Sequence, residues 1–130
     1  MSSFRDLLVW QKAHALSLMV SRLSEKIRIR SPGLAKQLER AAEAIASHIA
    51  EGRGRGTDPD FSHFLSMAKG SANEVENGLQ KAVDYDLIAR EEHELATERT
   101  IEVRKMIIGL KRAIDGRPKS PPDEIQPESR

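Results

Sequence analysis

Residues 31–59 read SPGLAKQLERAAEAIASHIAEGRGRGTDP, and this stretch decides the fold. Leu34, Leu38, Ala41, Ala42, Ile45 and Ile49 recur at three- and four-residue spacing, which puts them on one face of an α-helix with charged residues opposite. Ser31 followed by Pro32 is a start signal. A serine oxygen can accept from the open N–H groups of a first turn, and proline at the first helical position sacrifices no hydrogen bond. Gly52-Arg53-Gly54-Arg55-Gly56 reads as a glycine turn that ends this helix, and Thr57-Asp58-Pro59 starts another by the same cap-then-proline logic. A helix with one apolar face needs partners to cover it.

The flanking segments supply them. Upstream, Phe4, Leu8, Ala15, Leu16, Met19, Leu23 and Ile27 follow the three–four rhythm, and Ser3 with Asp6 resembles a capping box for that helix. Downstream, Phe61, Phe64, Leu65, Ala68, Ala72, Val75, Leu79, Ala82 and Val83 form a third stripe. After a break at Tyr85-Asp86-Leu87-Ile88-Ala89, a fourth carries Leu95, Val103, Met106, Ile107, Leu110 and Ile114. No segment alternates with period two, so strands are not expected. The expected fold is all-α: an antiparallel up-down-up-down four-helix bundle over residues 1–115, with a disordered proline-rich tail at 116–130. Leu7, Trp10 and Ala13 lie beside the first stripe, and Ile101 and Ile108 widen the fourth. That surplus is either contact with another chain or simply a broad core stripe.

Composition narrows the function. The 130 residues make one ordinary domain, and the absence of cysteine excludes disulfides, thiol chemistry and cysteine-ligated metal. Apolar runs reach only three or four residues, as in Leu7-Leu8-Val9-Trp10, so no membrane span is expected. The N-terminus lacks an apolar signal core, which makes a cytoplasmic protein the expectation. The net charge is +1. It is unevenly spread: residues 1–57 hold 10 basic and 5 acidic residues, residues 58–130 hold 11 and 15.

Catalytic constellations are missing. A di-metal bundle needs Glu-x-x-His on two helices, whereas the residues three before His14, His48, His63 and His93 are Gln11, Ile45, Asp60 and Arg90. There is no Gly-x-Ser-x-Gly elbow and no phosphate loop ending in Gly-Lys-Ser/Thr. Glu91 and Glu92 suit a helix start, where they complement the dipole. No enzymatic activity, cofactor or metal is expected. Arg53 and Arg55 stand out, because arginine among glycines is always charged and grips phosphate bidentately. They equally suit a solvated turn that offsets a helix C-terminus. Up-down topology gathers Arg5, Arg53, Arg55, Lys111, Arg112, Arg117 and Lys119 at one end, against Asp6, Glu51, Asp58, Asp60 and Asp115. At the other end Lys26, Arg28 and Arg30 face Asp84, Asp86, Glu91, Glu92 and Glu94, where ordinary ion pairing is expected. No aromatic residue interleaves either basic group, so nucleic-acid binding here would be phosphate-led.

Three motifs in order carry a resemblance. Phe4-Arg5-Asp6-Leu7-Leu8-Val9-Trp10-Gln11-Lys12-Ala13-His14 opens the chain, Gln37-Leu38-x-Arg40-Ala41-Ala42 leads to Ile49-Ala50-Glu51-Gly52-x-Gly54-Arg55, and Phe61-x-x-Phe64-Leu65-x-x-Ala68-x-Gly70-Ser71-x-x-Glu74 follows. Over residues 4 to about 115 the chain resembles the four-helix-bundle family of the 23S ribosomal RNA intervening-sequence proteins. His48 stands where that family usually has asparagine, and the turn at Ser31 is shorter than usual. The resemblance implies a homo-oligomer, commonly a barrel-like pentamer, with no enzymatic activity. A related protein is the basic accessory pentamer of diversity-generating retroelements, which associates with a reverse transcriptase and nucleic acid. On the matched motifs, Gly70 and Ala68 lack bulk and would let another backbone or large side chain approach closely. One of Glu51 and Glu74 would be satisfied by Arg40 or Arg55 in an internal or inter-subunit charge pair, the alternative being a surface glutamate on a polar face. The expected function is a non-enzymatic oligomer that docks RNA, DNA or a nucleic-acid enzyme through Arg53 and Arg55, supported by Arg5 and Arg112. The alternative is a protein-interaction module that uses the apolar surface around Trp10.

Overall fold

The computed structural model describes residues 3–118. After a 3₁₀ turn at Phe4–Asp6 come four helices: α1 (Leu8–Arg30), α2 (Pro32–Arg55), α3 (Asp58–Asp84) and α4 (Arg90–Asp115). Each runs antiparallel to its neighbours. Lys12 pairs with Glu102 and Lys26 with Glu92, so α4 numbers fall as α1 numbers rise. Gly52 meets Phe64 while Gly78 meets Leu38, which gives the same relation between α2 and α3. Ser62 bonds to Asp115 and Arg104 to Asn73, which repeats it for α3 and α4.

The helix punctuation is mostly as expected. Pro32 occupies the first turn of α2, although the Ser31 side chain makes no cap bond. Thr57 caps α3 by accepting from the Asp60 N–H, which frees Asp58 for other work. The start of α1 differs from expectation. Ser3 accepts from the Arg5 N–H and caps the 3₁₀ turn, while extended Leu7 precedes α1. The glycine-arginine stretch differs too. α2 continues through Gly52, Arg53 and Gly54 to Arg55, and only Gly56, at φ 87°, leaves the helix in the left-handed conformation that glycine tolerates. Arg53 and Arg55 are therefore held on the last helical turn, not in a loop.

The core runs the length of the bundle. The six residues of the α2 stripe are all buried, and Leu65, Ala68, Ala72, Val75, Leu79 and Ala82 of α3 are wholly enclosed. In α1 the buried set is Val9, Ala13, Leu16, Val20, Leu23 and Ile27, whereas Leu8 and Ala15 point to solvent. Ala13 thus belongs to the core. The apolar residues of α1 fit two offset stripes, and the contacts with α2 and α4 select one. α4 buries five residues, Ala96, Thr100, Val103, Ile107 and Ile114, and Leu95 is exposed. Leu87 and Ile88 close the far end of the core from the α3–α4 loop.

Glu92 ties this far end together. Its carboxylate accepts from the Lys26 ammonium and from the Ala89 N–H, each at 2.8 Å. The Lys26 bond, then the Ala89 bond, hold it below the usual carboxylate range. A depressed folded-state pKa gives stability that is complete above the unfolded value and lost as pH falls through the folded one. The melting temperature is accordingly expected to hold steady from neutral pH and to fall below about pH 4. In a melting series across pH, the gap between the wild type and Glu92→Gln should close over that acid window.

Candidate nucleic-acid interface

Three chain segments converge at one end of the bundle: the 3₁₀ turn, the α2–α3 junction and the C-terminus of α4. Leu7, Gly52, Arg53, Gly56, Phe61, Leu110 and Arg117 line a common cleft of about 280 Å³ there. Among the described residues this end holds Arg5, Arg53, Arg55, Lys111, Arg112 and Arg117. Lys119 and the rest of the proposed tail, residues 119–130, lie outside the described residues.

Much of this charge is already engaged. Arg55 donates to Glu51 at 3.0 Å, one turn back, and its guanidinium lies 5.0 Å from the centre of the Phe64 ring. Arg117 bonds to Asp58 at 3.0 Å, which fastens the end of α4 to the start of α3. Asp115 accepts from Ser62 at 2.6 Å and from Lys111 at 2.9 Å, and these bonds, Ser62 first, hold its carboxyl below the usual range. Arg53 is half-buried beside Gly52 and Phe61 on the cleft wall. Arg5 is exposed, with its guanidinium 4.7 Å from the Phe4 ring centre. Arg112 is exposed and makes no ion pair among the described residues. Exposed arginine–carboxylate pairs are weak, so Arg55 and Arg117 can exchange a carboxylate for a phosphate at small cost.

The remaining motif residues lie along the bundle's sides. Trp10 is half-buried, edge-on to Phe4 at 5.1 Å and stacked on His14 at 4.9 Å. Arg40 and Glu74 line the α2–α3 groove with Gln37, Ala44, His48 and Ser71. Both are exposed, and neither side chain makes a hydrogen bond or ion pair among the described residues. Glu51 is exposed and takes Arg55 of the same helix, so this pair lies on the surface and not inside the bundle or between subunits as expected. Nothing in the chain lies within 4 Å of a Cβ built on Gly70. The close approaches occur instead at Gly52 and Gly78, where a Cβ would stand 2.7 Å from Phe64 Cβ and 2.6 Å from Leu38 Cδ2. The sequence does not single these two out: Gly52 reads as part of a turn, and Gly78 sits in a helical pattern just as Gly70 does. At the opposite end, Lys26 pairs with Glu92 as expected, but Arg28 turns to Glu39 of α2 instead of the acidic cluster. Among the described residues no three histidine or carboxylate side chains gather as a metal site would require. Among them, too, no helix is long and apolar enough to cross a membrane.

The pattern of the 23S rRNA-intervening sequence protein family matches residues 5–109. The chain belongs to that family. A solved structure from Bacteroides thetaiotaomicron, a protein of unknown function from the S23 ribosomal protein family, superposes with a TM-score of 0.76 at 23% identity. The superposition covers 81% of this chain and 99% of that one, and at this identity it speaks for the shared four-helix fold. No curated protein matches the chain.

Proposed function

We propose that the protein is a non-enzymatic, cytoplasmic homo-oligomer, a ring of five as the resemblance implies, that docks RNA or DNA through the arginine-bearing end. The same end is the surface offered to a nucleic-acid enzyme such as a reverse transcriptase. The observation that carries the reading is the convergence of Arg5, Arg53, Arg55 and Arg112 on one end of the bundle, three of them exposed. Membership of a family named for an intervening sequence in ribosomal RNA supports it. A ring with like ends on one face multiplies a modest charge into a continuous basic surface.

Titration of a labelled structured RNA and a duplex DNA at two salt concentrations tests it. Four phosphate contacts per copy predict roughly a 100-fold loss of duplex affinity between 50 and 200 mM salt. Arg53→Ala/Arg55→Ala should weaken binding and lower the salt slope by about two. Saturation with neither nucleic acid, well above micromolar protein, would overturn the reading. The protein-interaction alternative would then lead, because Arg55 and Arg117 already have carboxylate partners and α1 exposes apolar residues.

A further inference from the structure

α1 carries two stripes at helical spacing, one apolar and one mixed, and the core uses the first. The other is Leu8, Gln11, Ala15, Leu18, Arg22, Glu25 and Ile29, a strict three–four repeat in which every residue is exposed. Leu8 is 57% accessible, Leu18 47% and Ile29 81%. Its apolar members, Leu8, Ala15, Leu18 and Ile29, leave exposed apolar surface along the helix with Gln11, Arg22 and Glu25 between them. The charges within it, Arg22 and Glu25, have no ion-pair partner among the described residues.

The α2–α3 groove has the opposite shape. Its floor is small, with Ala41, Ala44 and Ser71 between the two helices, and Gly70 beside them opens to empty space. Its rim carries Arg40 and Glu74, again without partners. Protruding Leu8, Leu18 and Ile29 with Arg22 and Glu25 on one side of the bundle answer a groove on another side whose floor is small and whose rim carries Arg40 and Glu74. The levels also agree. Leu18 lines the α1–α2 groove with Glu43 and Ala46, and Ala44 shares the α2–α3 groove with Ser71 and Glu74, so all stand at one height along the bundle.

We infer that the outer seam of α1 of one copy seats in the α2–α3 groove of a second copy, with Leu18 on the Ala44–Ser71 floor and Arg22 reaching Glu74. The two surfaces lie on different sides of the bundle, so the contact is head-to-tail and repeats until the rotation closes. In a ring with copies side by side at one height, the like ends, and with them the arginines, share one face. The inference rests on the self-association proposed above and names its surfaces.

Sedimentation of the full chain and four variants tests it. The wild type is expected to be an oligomer. Leu18→Glu should give a folded monomer. Gly70→Arg should do the same without loss of helicity, because the side chain enters open space in the isolated chain. Glu74→Arg should weaken association at least about tenfold by opposing Arg22, and Arg22→Glu/Glu74→Arg should recover it. A monomeric wild type overturns the self-association reading itself. An oligomeric wild type that survives Leu18→Glu and Gly70→Arg overturns the assignment of surfaces alone, and failure of the double variant to recover assembly overturns the Arg22–Glu74 pairing.

Discussion

Replacing Gly52 with leucine is expected to lower the melting temperature by about 10–15 °C, a loss of about 2–3 kcal/mol. The first carbon of any side chain there would stand 2.7 Å from Phe64 Cβ and 3.0 Å from Phe61 Cδ1. Phe64 Cβ is fixed to the α3 backbone and cannot rotate away, so α2 and α3 must separate at the junction that positions Arg53 and Arg55. The usual gain from removing a helical glycine, about 1 kcal/mol, offsets only part of that cost. Gly109→Ala, on the exposed side of α4, is the matched control. It gains the same propensity in open space, so its melting temperature should rise by a few degrees. Thermal unfolding followed by circular dichroism decides both, and an unchanged Gly52→Leu melt would mean that the helices are not in close contact there.

Helices α2 and α3 were legible in the sequence because each bears a single apolar stripe, so periodicity and burial coincide. α1 was harder for a physical reason. Leu8, Ala15 and Leu18 are as apolar as Val9, Ala13 and Leu16, and periodicity cannot say which set meets the core and which meets solvent. The glycine-arginine stretch misled differently: three glycines suggested a turn, yet a helix accepts Gly52 and Gly54, and only Gly56 takes a left-handed φ. The common end for Arg5, Arg53, Arg55 and Arg112 followed from topology alone. The Arg55–Glu51 pair follows from its four-residue spacing, whereas Arg117–Asp58 joins residues 59 apart and only the folded chain brings them together. That bond is exposed and weak, so the candidate interface depends on how firmly the buried side chains of α4 hold the helix in place.

α4 is held by few large side chains, which makes Ile107→Ala the second large effect. Among its buried residues Ala96 and Thr100 are small or polar, and Ile107 is the largest wholly enclosed side chain of the helix. Its truncation removes apolar contact and leaves a cavity that the surrounding α-helices can close only in part, at a cost of about 3–4 kcal/mol. Ile107→Val, which removes one methylene, should cost about 1 kcal/mol. The pairs that also fasten α4, Lys12–Glu102 and Lys26–Glu92 to α1 and Arg104–Glu76 and Arg117–Asp58 to α3, lie at or near the surface and offset little of that loss. Denaturant unfolding should therefore rank Ile107→Ala far below Ile107→Val, and hydrogen exchange should show α4 amides losing protection before those of α2 and α3. Uniform protection across the four helices in Ile107→Ala would show instead that the bundle opens only as a whole. In the first case the end that gathers Arg112 and Arg117 with Arg53 loosens before the core does, and the nucleic-acid binding proposed above should weaken in this variant at temperatures where the bundle is still helical.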